Sequence, residues 1–171
     1  ESLGDVPPKY GDATIEKLAI QCVMAGCRPE YFPVVIAALE AMLEPAFNLN
    51  GVQTTTHMNE PLVIVGGPVV KRLGMNWGTR VFGSGNRANG SIGRAIKLIQ
   101  WNLGGSYPGE PYKSTFAHPG QWSYCIAEDP DSNPWEPLHV ERSLPQGSSG
   151  VIVFSCEPPH SVVNFGPAHE V

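Results

Sequence analysis

The chain has 171 residues, 16 of them acidic and 11 basic, which gives a formal net charge of −5. This length suits one domain with a sizeable core. Gly (19) and Pro (17) are abundant and only 16% of residues are charged, which excludes a coiled coil, a charged disordered tail and a simple helical bundle. The acidic balance argues against nucleic acid as a partner. The apolar runs fall short of the roughly 18 residues of a membrane-spanning helix, so we expect no membrane partner either.

The cysteine usage indicates a redox compartment. Four cysteines are too few to stabilise a domain of this length by disulfide bonds, and no two of them form a Cys-x-x-Cys pair. They are Cys22, Cys27, Cys125 and Cys156. We therefore expect a reducing compartment, the cytoplasm. Because the first residue is Glu1 rather than Met, we expect a processed or shortened chain whose start carries no targeting information.

The first third of the sequence predicts an arm and two helices. Residues 1–11 are rich in Pro and Gly and predict an extended arm that becomes ordered on a partner surface. Apolar residues then recur at helical spacing over residues 15–26, and Gly26 ends this helix. A second, more deeply buried helix begins just after Cys27 and ends before Pro45.

The middle of the chain alternates strand and helix patterns. Residues 52–56 are rich in β-branched side chains, and residues 62–65 form a continuous apolar run that predicts a central strand. A short helix is expected over residues 68–73, followed by a glycine-rich loop over residues 74–90. Ser91 then caps a helix that ends after Leu103.

The remaining patterns predict β-structure and loops. Residues 122–127, 138–140 and 151–154 each have the composition of a short strand. There is no internal repeat and no domain boundary. We therefore expect an arm at residues 1–11 and a single, loop-rich, mixed α/β domain at residues 12–171, with about three helices and a mixed sheet of four to five strands.

Several segments are similar to a known family. They are residues 24–42, Thr56-His57, His118-Pro119-Gly120, Cys125-Ile-Ala-Glu128, residues 134–142 and Pro159-His160. These segments are spread over most of the chain and resemble the C-terminal region of the UGSC family, a poorly characterised group named for a Gly-Ser-Cys motif containing cysteine or selenocysteine. The resemblance implies redox-active thiol chemistry. Since no Gly-Ser-Cys occurs here, it also implies a motif on a second subunit or on an N-terminal part outside this sequence, or else different chemistry.

Cys27 is the main candidate nucleophile. It precedes a helix start and sits beside Arg28, and both a helix N-terminus and a cation stabilise a thiolate. The alternative is a small thiol that merely fits a tight turn between helices. Cys22 lies on the apolar face of the first helix and is expected to fill the core. Cys125 lies in an alternating strand and is a second candidate site residue.

The histidines are candidates for proton transfer. Four of them lie in turns or at the ends of strand-like stretches, where functional side chains are often displayed: His57, His118, His139 and His160. One of them, within hydrogen-bond reach of Cys27, would accept the thiol proton. The alternative for each is a hydrogen-bonded structural role. Because no two stand at metal-ligand spacing, we expect no metal site, and a cofactor is left open.

A glycine-rich loop at residues 82–91, leading into a helix, has the ingredients of an anion cradle. The side chains expected to bind an anionic substrate there and near Cys27 are Arg28, Arg87, Asn89, Ser91 and Arg94. Glu141 is a candidate acid, base or clamp, against the alternative of a solvated salt bridge. The alternative for the loop is a flexible surface segment.

Together these patterns predict an enzyme, or a subunit of one, that acts on a small anionic organic molecule by thiol-dependent redox or nucleophilic chemistry. One alternative is a hydrolase or lyase that depends on a metal or on His and Glu side chains. A second alternative is a non-catalytic companion subunit of a chain that carries the Gly-Ser-Cys motif. We expect an oligomer, whereas the companion alternative predicts a monomer without a reactive thiol that forms a tight complex with its partner.

Overall fold

A computed structural model of the chain describes residues 1–163, 165 and 166. The α-helices in this part of the chain are α1 (Ile15–Ala25), α2 (Phe32–Leu43), α3 (Leu49–Thr54), α4 (Val69–Arg72), α5 (Arg87–Asn102) and α6 (Leu138–Glu141). Short 3₁₀ helices span Pro29–Tyr31, Pro45–Phe47 and Pro119–Gln121. The strands are β1 (Ser2–Val6), β2 (Gly11–Thr14), β3 (Glu60–Gly66), β4 (Tyr107–Pro108), β5 (Pro111–Tyr112), β6 (Cys125–Ala127) and β7 (Gly150–Cys156).

The central sheet has the strand order β6-β3-β7. Strand β3 pairs with β6 in parallel, from Val63 opposite Cys125 to Val65 opposite Ala127. It pairs with β7 in antiparallel over its whole length. The apolar run at residues 62–65 is therefore a central strand, as its composition predicts, and it is buried over nearly all its residues because both edges and both faces are covered.

Helices α2 and α5 pack against this sheet, and α1 packs against α5. The core they enclose includes Val35 and Leu39 of α2, Ile92 and Ile99 of α5, and Val63 of β3, each at most 2% exposed. Among the described residues no single helix is long and apolar enough to cross a membrane. The two helical segments Pro29–Leu43 and Pro45–Thr54 meet the length and composition test for a membrane span only when they are taken together, and they are bent by 71° relative to each other.

The mixed α/β class is confirmed, but the sequence predicts too few helices and too large a single sheet. In the described part of the chain there are six α-helices, and the strands divide into a three-stranded sheet and two two-stranded ones. Residues 52–56 are largely helical, not extended, because Asn48 caps α3 by accepting a hydrogen bond from the Gly51 amide at 3.2 Å. Residues 138–140 belong to α6, and the strand expected at 122–127 is confined to Cys125–Ala127.

Helix α5 begins earlier than predicted, at Arg87 and not after Ser91. The cap is Asn86, whose side chain accepts a hydrogen bond from the Asn89 amide at 3.0 Å and donates one to the Gly74 carbonyl at 2.8 Å. This second bond ties the start of the helix to the preceding loop. The glycine-rich stretch therefore contributes a full additional turn to α5.

Residues 1–11 pack on the chain itself. Strand β1 pairs with β2 to form a hairpin, and Val6 is fully buried. Backbone groups of the connecting turn are also bonded, since Gln53 donates to the Pro7 carbonyl at 2.6 Å and the Lys9 amide donates to the Gly104 carbonyl at 2.9 Å. The expected arm is thus a hairpin that packs against, and is hydrogen-bonded to, the rest of the domain.

Candidate functional site

Two cysteines meet at the end of α1. Gly26 ends the helix in the left-handed conformation, with φ of 83°. Its amide donates to the carbonyls of Cys22 and Val23, and the Cys27 amide donates to the Cys22 carbonyl at 2.9 Å. This is a Schellman cap, in which the side chains of the first and last residues of the motif contact each other. Here those two residues are Cys22 and Cys27, so the cap brings two thiols together.

The neighbourhood of Cys27 makes its thiol acidic. The pKa of Cys27 is lowered to about 7, chiefly because the Cys22 thiol is hydrogen-bonded to it. Burial of the sulfur acts in the opposite direction, while the Ser91 side chain and the positive charge of Arg87 act with Cys22. The pKa of Cys22 rises in return, chiefly because its thiol proton is held in the hydrogen bond to Cys27, and burial and the Cys27 charge act in the same direction. Cys27 is therefore the thiol of the pair that ionises first.

The first turns of α5 complete the thiol site. The Cys27 thiol donates to the Ser91 carbonyl at 3.3 Å, and the Ser91 hydroxyl is buried without a hydrogen-bond partner in the described residues. That hydroxyl is available to donate to the sulfur once the proton has left. Arg87 donates from Nε to the Gly26 carbonyl at 3.0 Å, which fixes its guanidinium beside the cap. Cys27 is half-buried, so solvent reaches the site.

The other two cysteines are poorer nucleophiles. Cys125 is 5% exposed in β6, and burial together with the nearby charge of Cys27 raises the pKa of its thiol. It is a third sulfur near the pair, and its burial makes it a weaker candidate site residue than Cys27. Burial also raises the pKa of Cys156, at the end of β7.

The expected contact between Cys27 and a histidine is not formed by any of the four candidates. His57 is exposed and lies 2.7 Å from a Glu157 oxygen. His118 packs edge-on against Tyr124, and burial, with a smaller effect of the Lys97 charge, lowers its pKa. His160 is exposed in the segment after β7, and His139 lies in a separate cavity. Thiol activation therefore comes from Cys22, Ser91 and Arg87.

Among the predicted anion-binding residues, only Arg87 and Ser91 are bonded to residues of the thiol cap. Asn89 is buried, and its side-chain amide bonds both the Asn76 amide and the Asn76 carbonyl at 2.9 Å, so its role is to hold the loop. Arg94 stacks between Trp101 and Trp122, with its guanidinium carbon 5.0 and 5.8 Å from the ring centres.

Two further candidates lie on the surface, and the cradle itself is filled. Arg28 is exposed just after Cys27, and Glu141 is exposed at 4.0 Å from the guanidinium of Arg142. The α5 N-terminus is occupied by the Asn86 cap, so an anion there would have to displace that side chain. The loop is therefore better described as an anchored helix entry than as an anion cradle.

His139 and Glu128 form a second cluster, at the end of the sheet where β3 and β6 finish. His139 Nδ1 lies 3.9 Å from Glu128 Oε2. Glu128 was not among the residues expected to act, because its importance depends on the pairing of β3 with β6. Within the described residues no group of three or more His, Cys, Asp or Glu side chains is arranged to hold a metal ion.

Comparison with known proteins finds no relative: no protein-family model, no curated protein and no solved structure matches the chain. Function is therefore inferred from the geometry of these two clusters. Cys22 is 5% exposed and packs in the core, as its place on the apolar face of α1 predicts. Its contact with Cys27, and the position of Glu128, were not predicted. The signal for Cys22 was the spacing Cys-x-x-x-Gly-Cys, which a glycine-capped helix end turns into a side-chain contact.

Proposed function

We propose that the chain is a thiol-dependent enzyme, or a subunit of one, in which Cys27 is the nucleophile and Cys22 the resolving thiol. The observation that carries the proposal is the Schellman cap, which joins the two cysteines by a backbone hydrogen bond and brings their thiols together. Two-step thiol exchange requires one acidic thiol, which attacks the substrate, and a second thiol beside it, which resolves the mixed disulfide. Cys27 and Cys22 form such a pair.

The reaction class is reduction of an organic disulfide. The Cys27 thiolate attacks one sulfur of the disulfide, a new S–S bond forms to Cys27, and the first substrate thiolate leaves. Cys22 then gives up its proton to the departing thiolate and attacks the Cys27 sulfur, which releases the second thiolate. The substrate gains two electrons, and the protein ends with a Cys22–Cys27 disulfide, to be reduced by an external thiol in a reducing compartment such as the cytoplasm.

A small anionic substrate is favoured by the charges around the sulfur. Arg87 lies against the cap, and Arg28 is exposed at the next residue after Cys27. Both guanidiniums suit a carboxylate. The resemblance to the UGSC family agrees with thiol chemistry, and a second subunit that bears the Gly-Ser-Cys motif, within an oligomer, remains part of the proposal.

The acidity of Cys27 predicts its reactivity towards alkylating agents. The rate of Cys27 modification by iodoacetamide, mapped by mass spectrometry, should be half-maximal near pH 7, because the thiolate is the reacting form. An ordinary thiol would need a pH of about 8.5. Cys27→Ser should remove the fast reaction and Cys156→Ser should keep it. A Cys27 rate that still rises steeply above about pH 8.5 would contradict the proposal.

The role of Cys22 is tested by two substitutions that differ in one hydroxyl group. Incubated with glutathione disulfide, the native chain should lose two hydrogens as the Cys22–Cys27 disulfide forms. Cys22→Ala and Cys22→Ser should both stop at the mixed disulfide on Cys27. Because a serine hydroxyl still donates to the Cys27 thiolate, only the alanine variant should move the alkylation midpoint upwards, by about one pH unit. Intramolecular disulfide in either variant would refute the assignment of Cys22.

A further inference from the structure

A cavity of about 420 Å³ opens at the carboxyl ends of β3 and β6. Beyond the last paired residues, Val65 and Ala127, the chain turns away at Gly66-Gly67 and at Glu128. Ligands of α/β proteins bind outside the carboxyl ends of parallel strands, because the chains diverge there and leave a crevice. The volume falls in the range of small-molecule sites. Its lining includes Lys71, Glu128, Asp129, Asp131, Trp135 and His139.

His139 in this cavity is buried without a hydrogen-bond partner. Its side chain is 4% exposed, and neither ring nitrogen has a partner among the described residues. A buried imidazole nearly always has both nitrogens bonded, since an unpaired buried polar atom is costly. An imidazole left unpaired on a cavity wall is a group that a ligand would complete.

Glu128 presents one oxygen to the cavity. Its Oε1 accepts two hydrogen bonds, from Asn133 Nδ2 at 2.9 Å and from the Leu138 amide at 2.8 Å, so the carboxylate is held rigidly. No hydrogen bond to Oε2 is present in the described part of the chain, and His139 Nδ1 lies 3.9 Å away from it. Gly66 keeps the space beside both atoms open, because a Cβ there would lie 2.9 Å from His139 Nδ1 and 3.0 Å from Glu128 Oε2.

The charge of the cavity is negative. Three carboxylates line it, those of Glu128, Asp129 and Asp131, against one ammonium, that of Lys71. Lys71 is already paired with Asp131. The indole of Trp135 also lines the cavity and is 68% exposed, so its face is open to a cation. A positively charged ligand is therefore favoured over the anionic class expected at the thiol site.

We propose that this cavity binds a small organic cation, a primary ammonium or guanidinium group, whose N–H donors bond Glu128 Oε2 and the unprotonated ring nitrogen of His139. Such a group supplies donors to Glu128 Oε2 and to one of the two unpaired ring nitrogens of His139, and it offsets the surplus of carboxylates. This binding site is separate from the Cys22–Cys27 pair and does not depend on the thiol chemistry. Cys27→Ser should leave it unchanged.

A matched set of compounds built on a four-carbon chain tests the charge preference. Isothermal titration calorimetry on the whole chain should show saturable binding of 1,4-diaminobutane and of agmatine. It should show none of 1,4-butanediol or succinate at the same concentration. Absence of binding by both cations, or binding of succinate as tight as theirs, would overturn the proposal.

Variants locate the site. Glu128→Gln keeps an oxygen acceptor for the Leu138 amide but removes the charge, and His139→Asn removes the ring. Each should weaken the binding of 1,4-diaminobutane at least about tenfold. The exposed pair His57 and Glu157 provides matched controls, since His57→Asn and Glu157→Gln make the same chemical changes outside the cavity. Equal affinity in Glu128→Gln and Glu157→Gln would refute the site.

Discussion

Replacing Lys97 by methionine should lower the free energy of unfolding by about 3–5 kcal/mol, because it strands a buried carboxylate. Lys97 on α5 donates from Nζ to Glu60 Oε2 at 2.9 Å and to Gln100 Oε1 at 3.2 Å. The Lys97 and Glu60 side chains are only 4% and 5% exposed. Domains are stable by about 5–15 kcal/mol in total, so this loss is large. Urea unfolding curves of both proteins measure it.

The pH dependence of this loss follows from Glu60. Burial raises the pKa of the Glu60 carboxyl, and the Lys97 charge opposes the rise. Without Lys97 the carboxyl has a raised pKa in the folded state and an ordinary one, about 4.3, in the unfolded state. The stability of Lys97→Met is therefore highest below that ordinary value and falls as the pH rises through the folded pKa. The deficit should be smaller at about pH 5 than at about pH 8.

Two variants separate the stranded charge from the loss of an interaction. The double variant Glu60→Leu with Lys97→Met removes both charges and should recover most of the stability, because a packed apolar pair avoids the cost of burying ions. Lys17→Met makes the same change in the exposed pair of Lys17 and Asp12, whose atoms are 3.7 Å apart, and should cost less than about 1 kcal/mol. Equal losses in Lys97→Met and the double variant would contradict this account.

The parts of the fold that could be predicted from the sequence are those fixed by local pattern. The helix that ends at Gly26 and the central apolar strand are clear examples, since periodicity and a terminating glycine act over a few residues. Helix α3 was missed because its β-branched residues favour strands, while the Asn48 cap decides for helix. Helix α6 was missed because its first amide is held by Glu128, ten residues earlier in the chain.

The two candidate sites differ in how far they could be predicted. The contact of Cys22 with Cys27 is local, and the rule for glycine-capped helix ends would have predicted it. The contact of His139 with Glu128 is not, because it requires β6 to lie parallel to β3 and a loop to return to the same edge. Strand β6 runs from one site to the other. Its first residue, Cys125, lies near the thiol pair, and Glu128 follows its last residue, about 10 Å further along the chain.

The closeness of α5 to the residues that lead into β6 makes Gly93 sensitive to substitution. A Cβ on Gly93 would lie 2.5 Å from Ser123 Oγ and 2.6 Å from the Tyr124 backbone nitrogen. Alanine normally stabilises a helix interior by about 0.5–1 kcal/mol relative to glycine. Because the new methyl group would clash with a backbone atom, which cannot move aside as a side chain can, Gly93→Ala should instead destabilise the chain by about 1–3 kcal/mol.

Gly90 in the same helix is the matched control, since among the described residues no atom outside its own stretch of α5 lies within 4 Å of the position its Cβ would take. Gly90→Ala should therefore stabilise the chain by the ordinary helix-propensity gain, opposite in sign to Gly93→Ala, in the same urea titration. Since residues 123–124, which lead into β6, must shift to admit the new methyl group, Gly93→Ala should also disturb the Cys27 contact with Ser91 and raise the midpoint pH of Cys27 alkylation. A Gly93→Ala protein as stable as Gly90→Ala would show that α5 and residues 123–124 are not packed as tightly as these distances require.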